Sequence, residues 1–565
     1  MASVFFEIAD LLELEGVPFK PRIYRKAAQQ IETLDRPVEA LYKEGKLRQI
    51  PGIGEAIAKK IEELVETGSL GYLEELRGQV PDGLTNLMQI STLGPKTVGL
   101  LYNELKIDSI EKLKKACEEH KLAPIKGMGT KTEENILRGI DLLEKSKGRY
   151  LLREAYDAFL PYLDWMRRCD RVQHVSVAGS SRRMKETIGD IDLLATSTDP
   201  EPVMSHFIRY PQVKEIIAHG KTKTSVRLTD DTQIDLRVID PMSWGSALQY
   251  FTGSKAHNIR LRQIAIKKGL KLNEYGIFKK DTNELVASQT EEEVYNALGL
   301  PYIVPQLRED RGEIEAALDG KLPNLVGMGD IRGDFHVHTK ASDGTAALEA
   351  MVGAARARGY KFIAITDHSQ SLHISHGLSE DALLKQAKAI RKLNDQLDNF
   401  RVFASTECEI KSDGSLDYPP SVLSELDFVV GAIHMNLKMD RKTMTDRILK
   451  GISYEKVKIL AHPTGRVLGK REPYQVDLDR LFEGALDTDT YMELNGFPDR
   501  LDLNDANLRK AKGRRMKIAI GSDAHSLVHL RYMEFGVATA QRGWLEKTEI
   551  LNTYRIKEIE KMLCP

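Results

Sequence analysis

The sequence predicts a multidomain protein with a helical N-terminal region, an α+β central domain and a C-terminal α/β barrel. Up to about residue 145, three glycine-centred turns are each followed by an amphipathic helical pattern. From about 150 to 315, strand-like and helical segments alternate. Beyond a Gly- and Pro-rich stretch at 316–331, apolar strand-like runs alternate with helical segments in the rhythm of an α/β barrel, whose chemistry lies at the strand ends.

The hydrophobic content of 41% is ordinary for a folded protein. A length of 565 residues exceeds what one hydrophobic core organises, so we expect several domains. We expect a cytoplasmic protein without membrane contact, because neither a signal-like N-terminus nor an apolar run of about 18 residues is present. The four cysteines form no CxxC pair, which favours reduced thiols. A net charge of -1 argues against a uniformly basic surface, so any contact with DNA must be local.

The three glycine turns lie at residues 51–54, 93–96 and 126–129. One such turn is most often a plain helix connection, because glycine supplies the positive φ of a tight turn. Three turns that each open a helix instead favour binding to the DNA backbone, with turn amides and helix N-termini facing phosphates. The residues predicted to make this contact are Gly52, Gly54, Gly94, Lys96, Gly127, Gly129 and Lys131.

Three carboxylates in the central domain predict a magnesium site. Asp190 and Asp192 flank Ile191, so strand alternation directs both acids to one face. Asp235 lies in another predicted strand and supplies a third carboxylate. Oxygen ligands on rigid strands suit Mg²⁺, and two such ions would activate a 3′-hydroxyl and neutralise charge on departing pyrophosphate.

A phosphate-binding turn precedes these acids. Gly179 allows close approach of the backbone, Ser180 offers a hydroxyl, and Arg183 offers a guanidinium to a triphosphate. Alone, an Asp-x-Asp pair is usually a solvated strand edge and a Gly-Ser pair only a turn. Their order and spacing, with Asp235 further on, favour nucleotidyl transfer.

Nearly all of residues 1 to 315 resemble the family X DNA polymerases, on the motifs at residues 24–28, 51–54, 179–192, 235, 250–254, 273–276 and 297–302. The resemblance implies the following contacts with an incoming deoxynucleoside triphosphate: Gly179, Ser180, Arg183 and Gly189 for the phosphates, Tyr250, Phe251 and Gly253 for the sugar, and Asn258 for the minor-groove edge of the base. It also implies that Arg262 approaches the DNA template.

Two lysines stand where the resemblance is inexact. Lys255 replaces an acidic residue, and we hypothesise that its cation contacts the incoming nucleotide, a solvated lysine being the alternative. Lys60 matches the amine that removes deoxyribose phosphate in a relative, but Ala56 and Phe19 replace the phosphate-binding partners. A role for Lys60 as a DNA-backbone or surface lysine is therefore favoured.

A histidine-rich set of residues follows predicted strands beyond residue 331, and nine of the fourteen histidines lie there. A lone histidine after a strand is usually structural, whereas nine ligands in this arrangement predict a centre for up to three divalent ions, with Mn²⁺, Zn²⁺ and Fe²⁺ all suitable. The predicted ligands are His336, His338, Asp343, His368, Glu407, His434, His462, Asp523 and His525.

This region resembles the PHP (polymerase and histidinol phosphatase) domain, which implies a distorted (β/α)7 barrel with 3′-5′ exonuclease and 3′-end processing activity. Glu409 departs from the pattern, which puts its role in doubt, and Arg466, Arg500 and Asn495 are candidate phosphate contacts or ordinary surface residues. The order of a polymerase followed by a PHP domain is typical of bacterial family X polymerases.

The predicted domains are a helix-hairpin-helix DNA-binding domain at 1–90, fingers with further helix-hairpin-helix units at 91–148, a nucleotidyltransferase palm at 149–260, a thumb at 261–315, a linker at 316–331 and a PHP domain at 332–565. We expect a monomeric repair enzyme that fills short gaps at gapped or nicked DNA and trims 3′ ends. The alternative is a DNA-bound PHP phosphoesterase with an idle polymerase core.

Overall fold

The computed structural model describes residues 1–32, 38–50, 52–88, 90, 93–125, 127–146 and 148–564. Pro51 and Lys126, with which two predicted turns begin, and Ser91, the first residue of the predicted fingers, lie outside the described residues. The chain forms two compact units, Met1–Lys147 with Val467–Glu472 and Gly148–Arg466 with Pro473–Pro565.

The first unit is helical, as the sequence predicts. Its helices are α1 (Ala2–Leu14), α2 (Lys20–Glu32), α3 (Val38–Lys43), α4 (Glu55–Thr67), α5 (Gly71–Gln79), α6 (Asp82–Met88), α7 (Pro95–Leu105), α8 (Ile110–Glu118) and α9 (Thr130–Ser146). Helix α1 packs against α2, α5 and α7, and the apolar faces of the helices supply the buried core. Short amphipathic helices of this length depend on such packing for their stability.

Each glycine turn combines a buried anchor with an exposed backbone. The apolar residues Ile53, Leu93 and Met128 are buried, while the glycines beside them are exposed. Gly52 and Gly127 have φ values of 83° and 89°, a conformation that side chains with a Cβ rarely adopt. The buried residue fixes the turn, and the start of the next helix is left facing outward.

The second unit begins with an α+β region. Its elements are β1 (Tyr150–Leu151), α10 (Leu152–Arg167), β2 (Val175–Val177), α11 (Gly179–Arg182), β3 (Thr187–Ile188), β4 (Ile191–Thr196), α12 (Pro200–Ile208), β5 (Val213–His219), β6 (Lys223–Leu228), β7 (Gln233–Ile239) and α13 (Trp244–Thr252). The sheet has the order β2-β4-β7-β6-β5, and only its β4–β7 pair is parallel. The parallel pair brings the starts of two strands to one edge.

A smaller region follows, with α14 (Lys255–Lys267), β8 (Leu270–Asn273), β9 (Gly276–Lys279), β10 (Leu285–Ala287), α15 (Glu291–Ala297) and α16 (Glu313–Leu318). Its three strands form an antiparallel sheet in the order β10-β9-β8. Between Leu318 and Met328 the chain runs without a helix or strand. Val326 in this stretch is buried and donates a hydrogen bond to the carbonyl of Leu545, so the segment packs on the region that follows.

The last region is the barrel, with β11 (Gly333–Val337), α17 (Leu348–Ala357), β12 (Phe362–Ile365), α18 (Glu380–Asn394), β13 (Arg401–Ala404), β14 (Glu407–Glu409), α19 (Pro420–Leu423), β15 (Val429–Ala432), α20 (Arg441–Ile452), β16 (Val457–Leu460), α21 (Leu478–Asp487), β17 (Tyr491–Asn495), α22 (Asp505–Gly513), β18 (Ile518–Gly521), α23 (Met533–Arg542) and α24 (Ile556–Leu563). All paired strands here are parallel.

Strand pairing makes this a seven-stranded barrel with one interrupted strand. Strands β13 and β14 are separated only by Ser405 and Thr406, with β13 pairing to β12 and β14 to β15. A bridge between Val337 and Ala524 joins β11 to the residues just after β18 and closes the ring. The predicted distorted (β/α)7 barrel is thereby confirmed. Among the described residues, no helix has both the length and the apolar character needed to cross a membrane.

A buried histidine holds α14 against its neighbours. His257 is fully buried, with Nδ1 2.7 Å from the carboxylate of Glu313 and Nε2 2.9 Å from the hydroxyl of Tyr295. Burial lowers its pKa, and the cation of Arg308 acts in the same direction, while Glu313 and Asp310 oppose the shift. The neutral imidazole is therefore the folded form.

Acidification should destabilise this region through His257. A folded pKa below the unfolded value of about 6.5 means that stability is complete above that pH and is lost as the pH falls below it. We expect the melting temperature to fall more steeply between about pH 7.5 and about pH 5.5 in the wild type than in His257→Gln, which cannot titrate. Parallel pH profiles of the two proteins in thermal unfolding would contradict this assignment.

Candidate functional site

The predicted aspartates meet at the edge of the parallel strand pair. Asp192 in β4 lies directly opposite Asp235 in β7, and Asp190 immediately precedes β4. Two carboxylates therefore face each other across neighbouring strands, with a third beside them. Strand alternation within residues 190–192 is what the sequence allowed us to predict.

Charges at this edge are unevenly compensated. Burial, together with the negative charges of Asp235 and Asp190, raises the pKa of Asp192 to about 6. Burial also acts on Asp235, but its pKa is lowered, because the Lys223 ammonium lies 2.6 Å from its Oδ2 and Gln233 donates to its Oδ1 at 3.0 Å. Excess negative charge on buried oxygens is the environment that a divalent cation fits.

The phosphate turn lies against these acids. Gly179 has a φ of 60°, and a Cβ at this position would lie 3.0 Å from Oδ2 of Asp192. Ser180 follows in α11, and Arg183 ends that helix with Nε donating to Glu309 at 2.9 Å. The structure therefore brings Gly179 and the acids together, and it shows a protein partner for Arg183 that the sequence did not predict.

The residues predicted to flank the sugar and base lie at the junction of α13 and α14. The rings of Tyr250 and Phe251 pack edge to face, with their centroids 5.1 Å apart. The side chain of Asn258 donates to the carbonyl of Tyr250 at 2.7 Å, and a Cβ on Gly253 would lie 2.4 Å from its Oδ1. Only glycine fits at residue 253.

Three other predicted contacts have simpler surroundings. Gly189 lies between the phosphate turn and β4, where a Cβ would meet the Arg149 guanidinium at 3.3 Å. Lys255 is exposed at the start of α14, and Arg262 is half-buried on the same helix. Their roles stay predictions.

In the first unit, the glycine turns present helix N-termini to the outside. Gly54 and Gly94 are the N-caps of α4 and α7, and neither offers a side-chain acceptor to the amides of the first turn. Gly129 immediately precedes α9. Lys96 and Lys131 are exposed one or two residues further on. Free amides and an adjacent cation suit an anionic backbone.

Lys60 lies on α4 in the same unit. Its ammonium group is 4.2 Å from the centre of the Tyr72 ring. This cation-π contact gives the lysine a structural partner, in keeping with the favoured interpretation of the residue.

The barrel gathers all nine predicted ligands at the carboxyl ends of its strands. Most of the predicted ligands lie at or just after a strand end; Glu407 begins β14, just after β13, and Asp343 lies in the loop after β11. Three groups of ligand atoms lie within 4.8 Å of one another: His338, Asp343, His368 and His525; His336, His338 and Glu407; His368, Glu407 and His434. The overlap of these groups describes one continuous centre.

Glu407 is the hub of this centre, because three imidazoles surround its carboxylate. Nε2 of His462 lies at 2.8 Å, Nδ1 of His368 at 2.9 Å and Nε2 of His434 at 3.2 Å. The remaining acids belong to the periphery. Asp523 lies 3.2 Å from Nε2 of His338, and Asp343 lies 3.4 Å from Nε2 of His525.

The donor set fits divalent ions. Burial lowers the pKa of His338 to about 4 and that of His462 to about 3, so both imidazoles are neutral and able to coordinate. Nε2 of His338 faces Nε2 of His336 at 3.1 Å, and the buried Nδ1 atoms of His338 and His462 have no hydrogen-bond partner among the described residues. Mixed imidazole and carboxylate donors suit Mn²⁺, Zn²⁺ or Fe²⁺.

Residues that the sequence did not identify hold the ligands in place. Glu409, whose role was in doubt, lies 3.0 Å from Nδ1 of His434 and accepts from Arg447 at 3.1 Å. Glu493 lies 2.7 Å from Nδ1 of His336 and accepts the backbone N–H of His462 at 2.6 Å. Such partners orient imidazoles and increase their basicity. Alternation within β14 was the available signal for Glu409.

Three candidate phosphate contacts have protein partners instead. Asn495 is buried and donates to Glu493 and Asp523, both at 3.1 Å. Arg466 is buried and donates to Glu186 at 2.7 Å. Arg500 has its Nε 3.7 Å from Asp523. Asn495 is therefore part of the framework around the cluster.

Comparison with protein families covers both units. Residues 1–70 match a helix-hairpin-helix domain, and residues 84–141 match a SAM-like helix-hairpin-helix tandem. Residues 247–309 match the DNA polymerase beta thumb, and residues 334–496 match the PHP domain.

A curated relative spans almost the whole chain. The chain is 37% identical over 559 residues to the DNA polymerase/3′-5′ exonuclease PolX of Bacillus subtilis (strain 168), covering 98% of this chain and 97% of the relative. DNA polymerase lambda of Rattus norvegicus is 26% identical over 339 residues, or 54% of each chain. DNA polymerase lambda of Arabidopsis thaliana is 25% identical over 344 residues, covering 54% of this chain and 61% of the relative. The chain therefore belongs to the family X DNA polymerases that carry a C-terminal PHP domain.

Proposed function

We propose that the protein is a DNA-directed DNA polymerase that fills short gaps during DNA repair, and that its barrel is a 3′-5′ exonuclease that cleans 3′ ends. The observation that carries the polymerase assignment is the pairing of Asp192 with Asp235 across parallel strands, with Gly179 against Asp192. The PolX relative, named as a polymerase and exonuclease, supports both activities.

In the polymerase site, Asp190, Asp192 and Asp235 would hold Mg²⁺. Bound ions would lower the pKa of the primer 3′-hydroxyl and offset the charge of the departing pyrophosphate. The protein's own part is positioning. The proposed contacts are Gly179, Ser180, Arg183 and Gly189 for the triphosphate, Tyr250, Phe251 and Gly253 for the sugar, Asn258 for the base edge, Lys255 for the nucleotide and Arg262 for the template.

In the barrel, the nine clustered ligands would hold up to three divalent ions, Mn²⁺, Zn²⁺ or Fe²⁺. Such ions would activate water and stabilise charge on a scissile phosphodiester. Glu409 and Glu493 would fix the orientation of His434 and His336 from behind, so that the imidazole nitrogens facing the centre stay in place.

Gapped or nicked duplex DNA is the proposed partner, with 3′ ends as the shared substrate of both sites. The glycine turns at Gly52, Gly94 and Gly127 would bind its backbone without sequence preference, since amides and lysines contact phosphates rather than bases. We propose that the enzyme works as a monomer in the cytoplasm, on chromosomal DNA and cellular deoxynucleoside triphosphates.

Asp192→Asn should abolish primer extension and spare 3′ trimming. The amide removes a charged ligand from the acid that lies against the phosphate turn and opposite Asp235, so extension should fall on the order of 1000-fold. A gapped primer-template whose primer is labelled at its 5′ end reports both activities in one assay, because the label stays on extended and on shortened primers. Asp164→Asn, at an exposed ion pair on α10, is the matched control. Normal extension by Asp192→Asn would mean that the polymerase assignment fails and that the alternative of an idle core holds.

His336→Ala should have the opposite effect. The imidazole belongs to the ligand group around Glu407, so trimming should fall on the order of 100-fold while gap filling continues. His373→Ala removes an exposed histidine of the same barrel and is expected to keep both activities. Trimming by His336→Ala at the wild-type rate would contradict the assignment of the exonuclease to this cluster.

Metal content should depend on how many ligand groups a residue joins. Glu407 belongs to two of the three groups and His525 to one. We therefore expect Glu407→Gln to retain about one ion per chain and His525→Ala about two, against about three in the wild type. Metal analysis of the purified proteins by mass spectrometry tests this, with Glu425→Gln at an exposed ion pair as the control. Equal losses in the two variants would rule out a shared-ligand centre.

A further inference from the structure

One arginine of the barrel reaches the loop that carries the phosphate turn. Arg542, the last residue of α23, has a side chain only 4% exposed. Its Nη1 donates to the backbone carbonyl of Arg183 at 3.0 Å and to Oε1 of Glu309 at 2.9 Å. Its Nη2 donates to Asp505 at 2.8 Å. All three acceptors are satisfied by one planar group.

The other end of this network fixes the side chain of Arg183. The Nε of Arg183 donates to Oε1 of Glu309, which is the oxygen that Arg542 also contacts. The Nη1 of Arg183 donates to the carbonyl of Thr252 at 2.8 Å. A guanidinium is a rigid fork of five N–H donors. Two fixed contacts therefore set its plane and the direction of Nη2.

We propose that Arg542 is a positioning residue for the polymerase site, holding Arg183 through its carbonyl and through Glu309 in the orientation that binds the triphosphate. The inference rests on the proposed function, because it concerns the nucleotide contact assigned there to Arg183. Arg542 touches neither substrate nor reacting atoms and acts through its neighbour.

Charge sharing explains why a second arginine matters. Glu309 divides its negative charge between Arg183 and Arg542, so neither guanidinium neutralises it alone. Without Arg542, Glu309 would keep its ion pair with Arg183 and hold that guanidinium more firmly, while the site would lose a positive charge. Both effects weaken attraction of the Arg183 side chain for an anionic ligand.

The simpler alternative is that Arg542 only stabilises the contact between the barrel and the palm. Arg531 makes it testable, because it also joins the barrel to the palm, donating to Asp157 on α10 at 2.7 Å. Asp157 lies in α10 and takes no part in the phosphate turn. Loss of adhesion alone would lower the stability of both variants, more for the buried Arg542 than for the partly exposed Arg531, without a selective rise in KM for the nucleotide.

The experiment compares Arg542→Gln with Arg531→Gln in steady-state gap filling with varied deoxynucleoside triphosphate. Arg542→Gln should raise KM for the nucleotide on the order of 10-fold with kcat little changed, and Arg531→Gln should leave KM at the wild-type value. A cavity of about 120 Å³ beside Arg542, Arg311 and Asp505 gives water room to replace the lost donors. Retained 3′ trimming and thermal unfolding report whether the barrel is intact.

Two further variants separate positioning from loss of fold. Arg542→Lys keeps the charge with fewer contacts and should give an intermediate KM. Because Arg542 acts in part through Glu309, the double variant Arg542→Gln/Glu309→Gln should raise KM by less than the product of the two single effects. Equal KM values for Arg542→Gln and Arg531→Gln, or additive effects in the double variant, would overturn the proposal. Absence of extension by the wild type would instead contradict the proposed function itself.

Discussion

A carboxylate can stay ionised inside a protein only where positive charge or hydrogen-bond donors surround it, and Glu407 is the clearest case in this structure. The residue is 1% exposed, at the start of the strand segment β14. Burial would raise its pKa, yet the pKa is well below normal, because the charges of His434, His336 and His368 outweigh burial. Imidazoles from separate strands must therefore converge on this one carboxylate.

The same constraint is met differently in the palm. Asp235 has the Lys223 ammonium beside it, and its pKa is lowered, whereas Asp192 directly opposite has a pKa raised to about 6. One acid of the pair has a direct ion pair within the protein, whereas the charges of Arg237 and Lys223 only partly offset the effect of burial on the other. Burial of a partly compensated carboxylate costs stability, so its retention is best explained by a cation that binds there in function.

Local rules account for what the sequence predicted. Alternation along a strand places Asp190 with Asp192 and His336 with His338, and parallel strands end at one edge of a barrel. Those rules use only neighbours in sequence. The partners of these residues follow from strand order instead. Strand β7 has β4 on one side and β6 on the other, and the ammonium of Lys223 in β6 reaches Asp235 from a position two residues along from the directly opposite Ser225. A single sequence contains no direct signal for that order.

Glu409 and Glu493 show the same limit at the histidine cluster. The sequence shows that Glu409 alternates with Glu407 and that Glu493 alternates with Asn495. It does not show which imidazole each glutamate contacts. Glu493 reaches His336, 157 residues away in the chain, because the ring closes between β11 and β18. The histidines and acids of the cluster were predictable from strand ends, but the residues that hold them follow only from closure of the barrel.

Two adjacent arginines, Arg182 and Arg183, connect the phosphate turn to different parts of the chain. Arg182 donates to Glu291 of α15, which it shares with Arg308. Arg183 donates to Glu309, which it shares with Arg542 of the barrel.

Two guanidiniums therefore bind each carboxylate. The Arg182–Glu291–Arg308 group lies wholly within residues 148–318, but the Arg183–Glu309–Arg542 group does not. The second ends in the barrel, on the helix that follows β18 and the ligands Asp523 and His525. A polymerase core without the barrel would keep Arg182 fixed and leave Arg183 as the one arginine paired with Glu309 among the described residues. On the proposed function, the barrel would thus contribute to the nucleotide site as a structural part, whatever reaction its own predicted metal ligands support.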